Sequence, residues 1–335
     1  MEIKKHPFFK GLPGFTRTDD TLLAHDAERS VYFWWWQFLR LSPVYWYARH
    51  ASVTPTDPVV AEAYERAGDL SLRWFSQWWA ATGSAVFAEA KRPAKVRTVD
   101  LEPTNTDAQI ELYENSLIVE IPLTIRKATI FKQLKDLLEQ QIDGVPRHRG
   151  RDLNVVERSN ALLRLHTKRF RLRTLEIEYL VLLYRLLYPR TEIWRIGDRL
   201  QIAPSLKVRT AERIAFNTGS SPFDKLHSLT GRYLYKAERT LLNVERGSFP
   251  NNSKIVLPDD YAPFGAKHQK DFKAAVSTYA TNTSAWQVWL TETYLTELKS
   301  EVIRRNRLDN EYRMPDSKVR RRLPAFLDGS SDLLA

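Results

Sequence analysis

Residues 223–247 read FDKLHSLTGRYLYKAERTLLNVERG, and the two faces of that stretch decide the fold. Leu226, Leu229, Tyr233, Ala237, Leu241 and Val244 recur at helical spacing, with Gly247 placed to end the helix. The opposite face carries Ser228, Arg232, Lys236, Arg239, Asn243 and Arg246, with Tyr235 at its edge. Glu238 and Glu245 fall away from it, so the positive charge is sorted. Upstream, residues 175–188 (LEIEYLVLLYRLLY) are apolar on nearly every side and predict a buried central helix. Pro189 closes it, and Thr191 can cap a short helix over 192–201. A core helix, a short helix and a basic amphipathic helix outline a helix-turn-helix DNA reader.

One feature departs from that outline: residues 202–222 stand where a turn of a few residues is expected. A competing register puts the reader at 205–216 (SLKVRTAERIAF), with Lys207, Arg209, Thr210 and Arg213 outward. The later helix is preferred because it is longer and its faces separate more cleanly. The bland alternative is that a basic face is simply a solvated face.

The chain's 335 residues allow more than one domain, and 43% hydrophobic with 27% charged residues describes an ordinary globular protein. Zero cysteines exclude disulfides and cysteine-based metal or nucleophile chemistry, and fit a cytoplasmic location. No signal peptide is visible, and the aromatic run 31–47 is too interrupted for a membrane span. The net charge of +11 is concentrated: 147–173 is net +7 and 304–322 net +5. Charge confined to two stretches points to phosphate binding. From them Arg158, Lys168, Arg169, Arg171, Arg173, Arg320, Arg321 and Arg322 join the α-helical face as candidate nucleic-acid contacts.

Seven of the ten tryptophans precede residue 80. Asp26 can cap a helix over 28–41, in which Tyr32, Trp35, Trp36 and Leu39 form a stripe read as packed core rather than a stacking platform. A second aromatic helix is expected over 58–81. Residues 36–45, WQFLRLSPVY, resemble the W-x-F-L-R-x-N-P-x-Y stretch opening many proteobacterial transcriptional-regulator-like proteins of unknown function, common on mobile elements. Ser42 stands where that pattern has Asn. Residues 230–250 are similar to the last helix of uncharacterised DNA-binding proteins from the same settings. The resemblance implies a regulator or structural factor of a mobile element or defence locus, and brings no catalytic residues.

Residues 95–101, 110–113 and 117–125 are β-like, the last two joined as a hairpin. Helices are expected over 126–141 and 153–170, separated by a basic linker at 144–150. After a loop at 251–265, two further helices are expected over 267–280 and 284–307.

Enzyme chemistry finds little support. Asp69, Glu89 and Lys91 could form a metal-dependent nuclease site, at loose spacing. Arg164, His166, Arg232 and Tyr233 or Tyr235 supply the residue types of a tyrosine recombinase without its H-x-x-R box. No metal-binding histidine spacing and no P-loop occur. The expectation is a mostly α (α+β) protein in three parts: an aromatic module with a β insert (1–143), a helix-turn-helix-like domain (151–250) and a basic extension (251–335). Its partner would be double-stranded DNA, with no cofactor and no metal. The rival is an assembly subunit that docks a protein through its aromatic module and binds RNA or single-stranded DNA.

Overall fold

The sequence VYFWWWQFLR offers water only Gln37 and Arg40, and it forms a helix, α1 (Val31–Arg40), buried on every side. In this computed structural model the described residues are 27–89, 130–131, 134–135, 159, 161–167, 170–206, 222–258, 260–277 and 284–311. Ser30, rather than Asp26, caps α1: its Oγ accepts from the Tyr32 N–H at 3.2 Å. A helix apolar all round belongs at the centre of a core. The helix expected over 175–188 is buried as well, with none of those residues exposed. This neighbour of α1, α5 (Leu172–Leu187), buries Leu175, Tyr179 and Leu183 but leaves Arg173 in solvent.

The two polar residues of α1 are buried because distant partners meet them. Arg40 pairs with Glu297, between the rings of Trp36 and Tyr294 at 4.6 and 4.7 Å. The Tyr294 hydroxyl donates to Gln37 Oε1 at 2.9 Å and shares a 2.6 Å hydrogen bond with Tyr179.

Ser42 caps α2 (Pro43–His50), and Asp57 caps α3 (Pro58–Ala67). The single helix expected over 58–81 is two. Gly68 ends α3 at φ +65, and a Cβ there would meet Thr82 Oγ1 at 2.7 Å, so the chain turns where only glycine fits. A second helical stretch, α4, runs from Phe75–Trp78 through Trp79–Gly83 to Ser84–Val86.

The helix expected over 153–170 is also corrected. Among its described residues Ala161, Leu163 and Leu165 are buried while Leu162 and Arg164 are exposed, a period of two. Here β1 (Arg164–Leu165) pairs in parallel with β2 (Ser248–Phe249), Arg164 opposite Ser248. Between them lie α5, α6 (Ile193–Arg199) and α7 (Pro222–Val244); α8 (Ala266–Val276) and α9, from Ala285–Val288 through Trp289–Tyr294 to Leu295–Glu311, follow. Glu192, not Thr191, holds the N-cap position of α6.

The mostly helical class is the one observed. The three-part division is redrawn: residues 1–90 and 154–335 form one compact unit, and 91–153 a second. In the first unit α1 to α4 share one core with α5, α7 and α9. The β-like segments at 95–125 and the linker at 144–150 lie outside the described residues, and 130, 131, 134 and 135 are helical as expected. No helix among the described residues is long and apolar enough to cross a membrane.

Candidate nucleic-acid interface

The inward face of α7 is rotated slightly from the expected stripe. Leu226, Thr230, Leu234, Ala237, Thr240 and Val244 are buried, while Leu229, Tyr233 and Leu241 are half-buried. The cause is α6, whose Gly197 sets its backbone against α7: a Cβ there would lie 2.1 Å from Thr230 Oγ1 and 2.9 Å from Leu226 Cδ1. Trp194 of α6 also packs on Phe223, ring centroids 4.5 Å apart. With α5 on its other flank, α7 is held by two helices along its length.

The outward face brings together Ser228, Arg232, Tyr235 and Lys236, all exposed, with Arg239 half-buried beside them. Arg232 has no hydrogen-bond or ion-pair partner among the described residues. Arg239 folds back along the helix, its guanidinium 4.0 Å over the Tyr235 ring and hydrogen-bonded to the Tyr235 hydroxyl. Sequence reading missed His227, exposed beside Ser228, and Gly231, where a Cβ would meet nothing within 4 Å.

Two residues expected on this face are taken out of it. Asn243 is 4% exposed: its Nδ2 donates to Arg239 O and Ser253 O, both at 2.9 Å, and its Oδ1 accepts from Asn251. Arg246 donates from Nη2 to Asp57 Oδ2 at 2.6 Å. The open basic face therefore spans 228–239, roughly 16 Å of helix at about 1.5 Å per residue.

Beyond α7 the expected contacts divide. Arg171 is exposed at the start of α5, and exposed Arg173 pairs with Glu176 at 2.7 Å. Arg158, Lys168, Arg169, Lys207, Arg209, Arg213, Arg320, Arg321 and Arg322 lie outside the described residues. The basic stretch 304–322 begins with two structural arginines rather than an open arm. Arg305 is 1% exposed, with Nη1 2.8 Å from Glu28 Oε1. Arg304 reaches Ser76 Oγ at 3.2 Å and lies over the Trp74 ring.

Two buried carboxylates flank the interface. Glu178 of α5 is pushed up to about 7 by burial, against the opposing pull of Lys236 and a hydrogen bond with Thr240. Glu245 is likewise raised to about 7 by burial, opposed by the Ser42 hydroxyl, which donates to its Oε1 at 2.5 Å, and by Arg246.

Exposure of Trp34, Trp46 or Trp78 would favour the assembly reading, and they are 6%, 4% and 0% exposed. The carboxylates of the nuclease reading have different surroundings. Asp69 accepts from the Ser71 N–H and lines a small cavity with Arg49 and Tyr64, whereas Glu89 accepts from the Ser159 hydroxyl. Lys91 lies outside the described residues, among which no group of three His, Asp or Glu could hold a metal ion. Comparison with known protein families, curated proteins and solved structures finds no match.

Proposed function

We propose that this chain is a non-enzymatic double-stranded DNA-binding protein, a regulator or structural factor, that reads the duplex with α7. In this reading α5 and α6 are the supporting helices of a helix-turn-helix-like unit with an enlarged turn. The observation that carries it is the open face of α7, where Ser228, Arg232, Tyr235 and Lys236 lie exposed while the opposite face is anchored. A helix of this kind fits the major groove, whose width is about 12 Å. Gly231 and Ser228 add little bulk, so the α7 backbone can approach closely.

The test is a gel-shift or anisotropy titration on selected and scrambled duplexes over a range of salt. Arg232→Ala with Lys236→Ala lowers the salt slope by about 0.9 for each phosphate that is no longer neutralised, and abolishes the preference if either cation reads a base. The competing register predicts that Arg209→Ala with Arg213→Ala does this instead. If neither pair changes affinity or the ratio of specific to non-specific binding, the reading fails.

A further inference from the structure

We propose that a cleft between α3, β1 and the turn leaving α7 binds a small organic phosphate. Its volume of about 290 Å³ falls just short of the usual range of small-molecule sites, about 300–1,000 Å³, and suits a small ligand. Four cationic or titratable side chains from three separate segments line it: Arg66, Arg164, His166 and Arg246. Among the described residues Glu62 is the one acidic residue in its wall, and it is paired with Arg66.

The basic groups are braced before any ligand arrives. Arg66 Nη1 donates to Leu162 O at 2.9 Å, Arg164 Nε to Ala161 O at 3.1 Å, and Arg246 Nη2 to Asp57. His166 Nδ1 lies 3.4 Å from Ser248 Oγ. A guanidinium carries five N–H donors, so a single bond to Asp57 orients Arg246 without exhausting it. Such prepaid ordering favours binding.

The other walls are apolar. Val59 and Leu162, 47% and 55% exposed, are two of the few large hydrophobic residues left open to solvent among the described residues, and both border this cleft. Gly247 stands in it at φ +72, so a side chain there would be strained. A basic end beside an apolar wall matches a phosphate carried on a flat or hydrophobic body. Arg246 to Ser248 form the turn that ends α7, so an occupant would touch that helix directly. The inference is independent of what α7 binds.

The test uses the full chain and isothermal titration with adenosine 5′-monophosphate, adenosine and inorganic phosphate. The monophosphate should bind at least about tenfold more tightly than either fragment. Arg164→Gln and, separately, His166→Gln should weaken it about tenfold or more, the worth of a charge-assisted hydrogen bond. Circular dichroism confirms that both variants fold. A duplex arm separates the sources of phosphate: both variants should leave duplex affinity unchanged, while Arg232→Ala with Lys236→Ala leaves monophosphate binding unchanged. The proposal is overturned if the monophosphate binds no better than its fragments, or if neither variant weakens it. It is also overturned if the variants weaken only duplex binding, which would make the cleft a nucleic-acid phosphate contact and leave the α7 reading standing.

Discussion

Gly197→Ala decides whether α7 is held as described. Inside a helix, glycine to alanine ordinarily stabilises by about 1 kcal/mol, because alanine loses less backbone entropy on folding. At Gly197 the new Cβ would lie 2.1 Å from Thr230 Oγ1 and 2.9 Å from Leu226 Cδ1, far inside contact distance. Overpacking of this kind costs about 1–3 kcal/mol. The clash outweighs propensity, so the variant should be less stable by about 1–2 kcal/mol, a melting shift of roughly 2–8 °C.

Gly231 supplies the control. It is also within a helix, but a Cβ there meets nothing within 4 Å, so Gly231→Ala should stabilise by the propensity gain. Thr230 supplies the rescue. Its hydroxyl is buried without a hydrogen-bond partner, so Thr230→Ala on its own is nearly neutral. The double variant Gly197→Ala with Thr230→Ala removes the colliding oxygen and should recover at least about 1 kcal/mol, read as coupling in a double-mutant cycle. Urea unfolding followed by tryptophan fluorescence measures all four proteins. If Gly197→Ala is as stabilising as Gly231→Ala, α6 does not approach α7 as closely as this and the support of the reading helix is misassigned.

Glu245 is raised from 4.5 to about 7, so between those values the folded chain keeps a proton that the unfolded chain has released. Stability should fall as pH rises across that window, by about 3 kcal/mol for this group; Glu245→Gln should flatten the urea midpoint there, and an unchanged slope would contradict the assignment. Glu178, raised to about 7, loses its negative charge near Lys236 as pH falls through that value. Duplex affinity should therefore tighten at lower pH by up to about fivefold, the worth of roughly 1 kcal/mol of surface electrostatics, and Glu178→Gln should remove that component. Arg305→Ala removes the buried guanidinium that pairs with Glu28 and Glu301 while Arg304 stays on Glu301, so in urea unfolding it should lower stability by less than the about 3–5 kcal/mol of a fully stranded buried charge. Deleting residues 319–335 should instead spare the fold and weaken all duplexes alike, and a large drop in melting temperature would show that those residues are structural too.

Local pattern carried the helical class because it is written in spacing: the sorted faces of 223–247 needed no partner to be read. Pattern failed where a residue's fate depends on something far along the chain. Arg40 is buried because Glu297 meets it from 257 positions away, and Arg305 because Glu28 does. Arg246 looked like one more cation on a basic face, yet Asp57 holds it. Within one helical turn Arg305 has Glu301 and Arg40 has Trp36, but neither neighbour foretells the distant carboxylate. The strand at Arg164–Leu165 was legible in principle, since Ala161, Leu163 and Leu165 alternate with Leu162 and Arg164. Five residues of alternation were outweighed by a longer run of helix formers around them.

The stretches 36–45 and 230–250 meet at one carboxylate. Ser42 faces two demands at once. Its Oγ accepts the Tyr45 N–H at 3.0 Å as the cap of α2, and the same hydroxyl donates to Glu245 Oε1 at 2.5 Å. Tyr45, one turn on, donates its own hydroxyl to Glu245 O at 2.9 Å. The position therefore requires a short side chain holding both an acceptor and a donor. Serine supplies both from one oxygen; asparagine would supply them from its carbonyl and its amide, and both are strong N-caps. Alanine supplies neither and would leave Glu245 without its hydroxyl partner in a site that is 6% exposed. What looked in the sequence like two unrelated fragments, one opening α2 and one closing α7, is a single junction that fixes the end of the proposed reading helix to the aromatic core.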